Sequence, residues 1–218
     1  MPTRDEQKAA TRARILDAAT ELLIAHGYAA LTTVAVQNAA GVSRGALLHH
    51  FSTVAELTRA LVAHLVEANE QAAHRIAARI GPSADPVERA MTALHETMTR
   101  PAAHAEFSLW AAARTDETLA AVLIDAERRA GRDLHRVVDE LFGPDIVAGE
   151  HYPAIRDVSI TMLRGLVVAQ SLHGSERTVR QSLARCIATV RLLVTTPEVT
   201  DRMSGHPGSF QGEPEIGR

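Results

Sequence analysis

The stretch TTVAVQNAAGVSRGALLHHF, residues 32–51, holds the side chains best spaced to act on a charged partner. Val36 and Ala40 recur at the interval of one buried helical face, and Leu47 and Phe51 at that of another. Between them Gly41 permits a tight turn, Val42 can fill the space beneath it, and Ser43 is a natural N-cap. Two short helices joined this way form a helix-turn-helix. Ser43, Arg44 and Gly45 open its second helix, and His49 faces away from Leu47 and Phe51. Arg44 can reach a guanine edge or a phosphate, and N–H groups at a helix start can meet a phosphate. Gly45 admits close approach of the backbone to DNA, or simply avoids a steric clash. The same periodicity also describes an ordinary helical hairpin with Arg44 on its solvated face.

Other chemistries find less support. Eleven histidines invite a metal reading. However, the neighbours His49 and His50 point in different directions on a helix, and His135 with Asp139 gives two ligands, too few for a structural zinc site. No HExxH, cysteine cluster or calcium loop occurs, and there is no GxSxG or phosphate loop. The sequence therefore predicts no metal, no cofactor and no enzymatic activity. Cys186 is the single cysteine and sits in an apolar helical pattern, where a buried, inert thiol is expected.

The elements that position these residues are predicted to be helical throughout. Apolar residues make up 46% and aromatics 3% of the 218 residues, so aliphatic side chains and alanine must fill the core. The helical period begins at Arg12, with residues 1–8 expected to fray. Ile15, Ala18, Ala19, Leu22 and Leu23 form its first stripe, and Gly27 caps it. Thr53 and Glu56 read as a capping box for a long helix that can continue to Ile80. Further helices carry Val87–Met98, Phe107–Trp110 and Leu119–Ala130, the last resuming through Leu134–Leu141. Residues 143–153 read as a loop. Apolar helices near 154–173 and 176–195 follow. The expected division is a head at 1–51, a larger body at 52–200, and a disordered tail at 201–218, rich in glycine, proline and polar residues.

Charge agrees weakly with this division. Residues 1–60 hold six Lys/Arg against five Asp/Glu, and residues 61–218 hold 17 against 21. No stretch has the apolar length to span a bilayer, and the polar start lacks the pattern of a signal peptide, so a cytoplasmic location is expected.

The head resembles the tetracycline-repressor (TetR) family. The likeness runs through Arg14, Ile15, Leu16, Ala18, Ala19, Leu22 and Gly27. It continues through Thr32, Ala40, Gly41, Val42, Ser43, Gly45, Leu47, His50, Phe51 and Leu57. It is dense over residues 12–57; beyond them it rests on length and helical layout. The resemblance implies an all-α fold, with a three-helix DNA-binding head joined to a helical body that binds a small organic ligand and forms a two-fold dimer. It implies a double-stranded DNA operator with a palindromic layout. DNA-contact candidates are Thr32, Thr33, Gln37, Ser43, Arg44, Gly45, Leu48, His49 and His50. This chain departs from the family pattern at Leu48, where a backbone-touching tyrosine is common, at Val54, where lysine is common, and at Gln37, where alanine is common. DNA affinity is then expected to be modest, or to rely on Lys8, Arg12, Thr33 and His50.

The resemblance also places a four-helix dimer interface on the helices near 154–173 and 176–195. In the body, Met91, His95 and Met98 recur on one helical side. With Phe107, Trp110, Met162 and Gln170 they are candidates for a ligand pocket, where methionine adapts to irregular apolar shapes. The same stripe is also what ordinary core looks like. The competing reading of the whole chain is a helical ligand-binding or protein-interaction module whose head has lost specific DNA recognition.

Overall fold

The computed structural model of the chain describes residues 3–81, 85–173 and 175–196. The predicted tail at 201–218 lies outside them. The described residues are all-α, with a small helical head joined to a larger helical body. The elements are α1 (Arg4–His26), a single 3-10 turn (Tyr28–Ala30), α2 (Thr33–Ala40), α3 (Arg44–His50), α4 (Val54–Ile80) and α5 (Pro86–Met98). They continue with α6 (Pro101–Ala113), α7 (Glu117–Phe142), the single-turn α8 (Pro144–Val147), α9 (Tyr152–His173) and α10 (Glu176–Thr195).

Local chemistry sets most of the boundaries. Thr32 caps α2 by accepting from Ala35 N at 3.1 Å, and Ser43 caps α3 by accepting from Ala46 N at 3.1 Å. Asp116 does the same for α7 through Leu119 N at 2.9 Å. Gly41 sits in the left-handed region at φ 61° and ψ 39°, which closes α2 and turns the chain into α3 at little steric cost.

Four expectations are corrected. Helix α1 starts at Arg4, well before Arg12, because Thr3 and Glu6 close a reciprocal capping box: Thr3 N donates to Glu6 Oε2 at 2.6 Å and Glu6 N to Thr3 Oγ1 at 3.2 Å. Residues 4–8 are therefore helical. At α4, Thr53 accepts from Glu56 N at 3.1 Å, but the Glu56 carboxylate reaches one residue further back, accepting from Ser52 N and Oγ, both at 2.8 Å. These bonds, led by that from the Ser52 hydroxyl, hold the Glu56 carboxyl below its ordinary range. Helix α7 is continuous rather than resumed. Within the expected loop at 143–153, Pro144 opens the short α8 and α9 begins at Tyr152.

Two buried clusters organise the described residues. One joins Ile15, Leu16, Leu23, Val36, Leu47 and Phe51 to Leu57, Leu61 and Leu65 of α4, to Ala105 and Leu109 of α6, and to Leu119 and Leu123 of α7. The packing of the head thus runs on past residue 51. The other gathers Ala73 and Ile76 of α4, Val87, Met91, Leu94 and Met98 of α5, Val137, Val138, Leu141 and Phe142 of α7, and inward residues of α9 and α10. Helices α4 and α7 have one end in each cluster. Polar ties supplement the packing: His64 of α4 lies 2.9 Å from Asp17 of α1, and Tyr152 donates to Asp139 at 2.7 Å.

Leu109 is fully buried where α6 meets the head. Leu109→Ala is expected to cost about 2–5 kcal/mol, since the lost contacts leave a cavity between packed helices. Urea unfolding followed by circular dichroism measures it, and a loss under 1 kcal/mol would contradict this packing.

Candidate nucleic-acid interface

Buried Leu47 and Phe51 fix how α3 lies on the head. The helical turn then presents Arg44, Gly45, Leu48 and His49 outward, and all four are exposed. Thr32 and Ser43 are exposed caps whose hydroxyls already accept backbone N–H groups. Thr33 and Gln37 are half-buried on α2, and His50 is half-buried at the end of α3. The nine DNA-contact candidates thus lie on α2, α3 and the caps that open these helices.

The fold brings further cations beside α3. The Arg12 guanidinium lies over the Phe51 ring, 5.4 Å from its centroid. His49 and His50 stack edge-on at 5.5 Å. Burial first, then the charges of His49, Lys8 and Arg12, pull the His50 pKa below its ordinary value. Arg4, Lys8 and Arg12 fall at intervals of four on exposed positions of α1, so they form one basic stripe running toward His49 and His50. The fold groups these residues from two separate sequence segments. Arg44 makes no ion pair among the described residues.

Gly45 invites a different question. A Cβ built there meets only Ser43 Oγ, at 4.0 Å. Nothing inside the chain requires the missing side chain.

A cavity of about 80 Å³ lies between the two buried clusters. Val66, Ala73, Leu94, Met98, Phe107 and Val137 contribute apolar wall, and Asn69, Glu70, Thr97, Glu106 and Arg164 contribute polar groups. Asn69 donates to Glu106 at 3.1 Å while its Oδ1 is buried without a hydrogen-bond partner. Glu70 pairs with Arg136. The Arg164 guanidinium lies over Trp110 at 4.5 Å.

Of the seven predicted pocket residues, Met98, Phe107 and Trp110 line this cavity. Met91 is fully buried in the body cluster. His95 is buried, with its Nε2 3.2 Å from Gln170 Oε1, and Met162 is half-buried on α9. Those four stand outside the cavity lining. The sequence reading missed Asn69, Glu106 and Arg164. A polar residue inside an apolar helical stripe was the only signal for Asn69 and Glu106, and Arg164 gave none. His135 lies 3.9 Å from Asp157, while Asp139 engages Tyr152 and Arg156, so that pair is divided between other partners. Among the described residues no group of three His, Cys, Asp or Glu can hold a metal, and no helix is long and apolar enough to cross a membrane.

Residues 15–61 match the sequence model described as bacterial regulatory proteins, tetR family. An uncharacterized HTH-type transcriptional regulator of Mycobacterium tuberculosis is 25% identical over 170 residues, covering 78% of this chain and 87% of that protein. The HTH-type transcriptional regulator CymR of Pseudomonas putida is 34% identical over 87 residues, covering 40% of this chain and 43% of CymR. A solved member of the TetR family from Streptomyces coelicolor has a TM-score of 0.55 at 22% identity and covers 81% of this chain and 97% of that one. The last likeness is one of fold.

The cation cluster has a direct readout. The His50 ring should titrate below its ordinary value of 6.5 in a proton NMR titration, and Lys8→Ala or Arg12→Ala should move it upward. An unmoved midpoint in both variants would show that the α1 stripe does not act on the end of α3.

Proposed function

Because residues 15–61 match the model of bacterial regulatory proteins, tetR family, and a similar HTH-type transcriptional regulator spans 78% of the chain, we propose that the chain is a TetR-family, ligand-responsive transcriptional repressor. In this reading it binds a palindromic DNA operator as a homodimer and is released by a small organic effector. The observation that carries the proposal is the exposed α3, with Arg44, Gly45 and His49 outward, flanked by Lys8 and Arg12 of α1. Phosphate contacts supply position and base contacts supply sequence. Here the α1 stripe serves the first role, and Arg44 with His49 serves the second. Lys8 and Arg12 stand in for the tyrosine and lysine that Leu48 and Val54 replace.

Dimerisation gives the two heads their spacing, since half-sites one helical turn apart require two-fold symmetry. Helices α9 and α10 carry the proposed interface. Gly165, Val168, Ala184, Ala188 and Leu192 are exposed there, and a Cβ at Gly165 would meet nothing within 4 Å. A second copy packed closely on this face accounts for an exposed leucine and an open glycine together.

Release follows from α6. Ala103, Phe107 and Trp110 wall the cavity, while Ala105 and Leu109 lie in the head's buried cluster. An effector that fits one position of α6 better than another biases the head by that difference in affinity.

Three experiments test this reading. Selection from a random DNA pool should enrich a near-palindromic site, and Arg44→Ala should lose affinity or sequence preference for it. Gly45→Ala should raise folding stability by up to about 1 kcal/mol through helix propensity yet weaken operator binding, because the new methyl meets DNA. Failure to select any site would overturn the DNA reading. Trp110 is the only tryptophan, so effector binding should shift its fluorescence and lower operator affinity in the same concentration range. A fluorescence shift with unchanged operator affinity would sink the release mechanism.

A further inference from the structure

The outward face of α3 is chemically unusual for a surface read by hydrogen bonds. Leu48 is 42% exposed there, one turn beyond Gly45 and beside His49. A leucine neither donates nor accepts, so it serves neither phosphate oxygens nor the polar edges of guanine, adenine or cytosine. A single exposed leucine is ordinary on most surfaces. The position of this one is the second observation: buried Leu47 and Phe51 hold it outward on the helix that bears Arg44 and His49. The major groove displays one apolar group, the C5-methyl of thymine. Gly45, with no side chain and open space around it, lets this part of α3 come close enough for that contact.

Resting on the DNA-binding reading above, we propose that Leu48 is a specificity-determining residue that packs on a thymine methyl in each operator half-site. Arg44 and His49 then read or anchor the neighbouring positions.

The test uses the intact protein and the operator that selection returns. Each thymine is replaced singly by deoxyuridine, which removes the methyl and leaves every hydrogen-bonding atom in place. Burial of one methyl predicts about a fourfold loss of affinity at one position of each half-site, and about 15-fold when both are changed. Leu48→Ala should bind thymine and deoxyuridine equally at that position while keeping its sensitivity elsewhere. Leu48 is exposed, so the variant should keep the parent's thermal midpoint, which circular dichroism checks. If the protein binds its selected operator and deoxyuridine is neutral at every position, the proposal is overturned and the DNA reading stands. If Leu48→Ala keeps the full discrimination, a different residue reads the methyl and the proposal is again overturned. If no operator is selected, both readings fail together.

Discussion

Leu57, Leu61 and Leu65 on one end of α4 are buried with the head, and Ala73 and Ile76 on its other end are buried with the body. No flexible linker separates the two. Helix α4 runs unbroken from one cluster to the other. Helix α6 adds a shorter route, since its residues alternate between the cavity wall and the head's cluster. Packed interiors have low compressibility and tend to switch between discrete arrangements. The cavity is thus bordered by two helices, α4 and α6, that also pack on α1 of the head. The hydrogen bond from Asn69 of α4 to Glu106 of α6 joins those helices at the cavity itself.

This constraint also explains why the cavity sits where it does. The two clusters meet around Val66 to Ala73 of α4, where the apolar stripe is interrupted by Asn69 and Glu70. Polar side chains at that level cannot be buried against leucine without partners. Glu70 is paired with Arg136, and Asn69 keeps an unsatisfied carbonyl. The seam between two cores is the place where space and unmet hydrogen-bonding capacity coexist.

Periodicity and caps made much of the head legible. Val36, Ala40, Leu47 and Phe51 announce their buried faces, and Ser43 caps α3 as its type suggests. The start of α1 was not legible, because its first turns are polar on every side and are held by capping rather than by packing. The continuity of α7 was hidden because its apolar stripe pauses between Ala130 and Leu134. The helix persists because Leu119 and Leu123 anchor one end in the head's cluster and Val137, Val138 and Leu141 anchor the other in the body. The cavity was half legible. Periodicity identifies the buried face of α5, but it cannot say whether a buried side chain meets another side chain, as Met91 does, or empty space, as Met98 does. Arg164 was invisible for the opposite reason. A cation on a helix reads as solvated until the fold places an indole beneath it.

The charge distribution gives the head an orientation that no single contact supplies. Residues 1–60 carry a slight excess of cations, whereas the remainder is acidic. The field of such a molecule turns its basic end toward a polyanion and holds its acidic body away. Lys8 and Arg12 bring part of that modest excess beside α3. Concentration matters more than total here, because screening at physiological salt limits each charge to a reach of about 8 Å. A chain with formal net charge of −3 can thus present a locally cationic surface to DNA. The open space at Gly45 fits the same account. At that position the fold would accept a larger residue, so the constraint that keeps the surface flat is better sought in what lies against α3 than in the packing behind it.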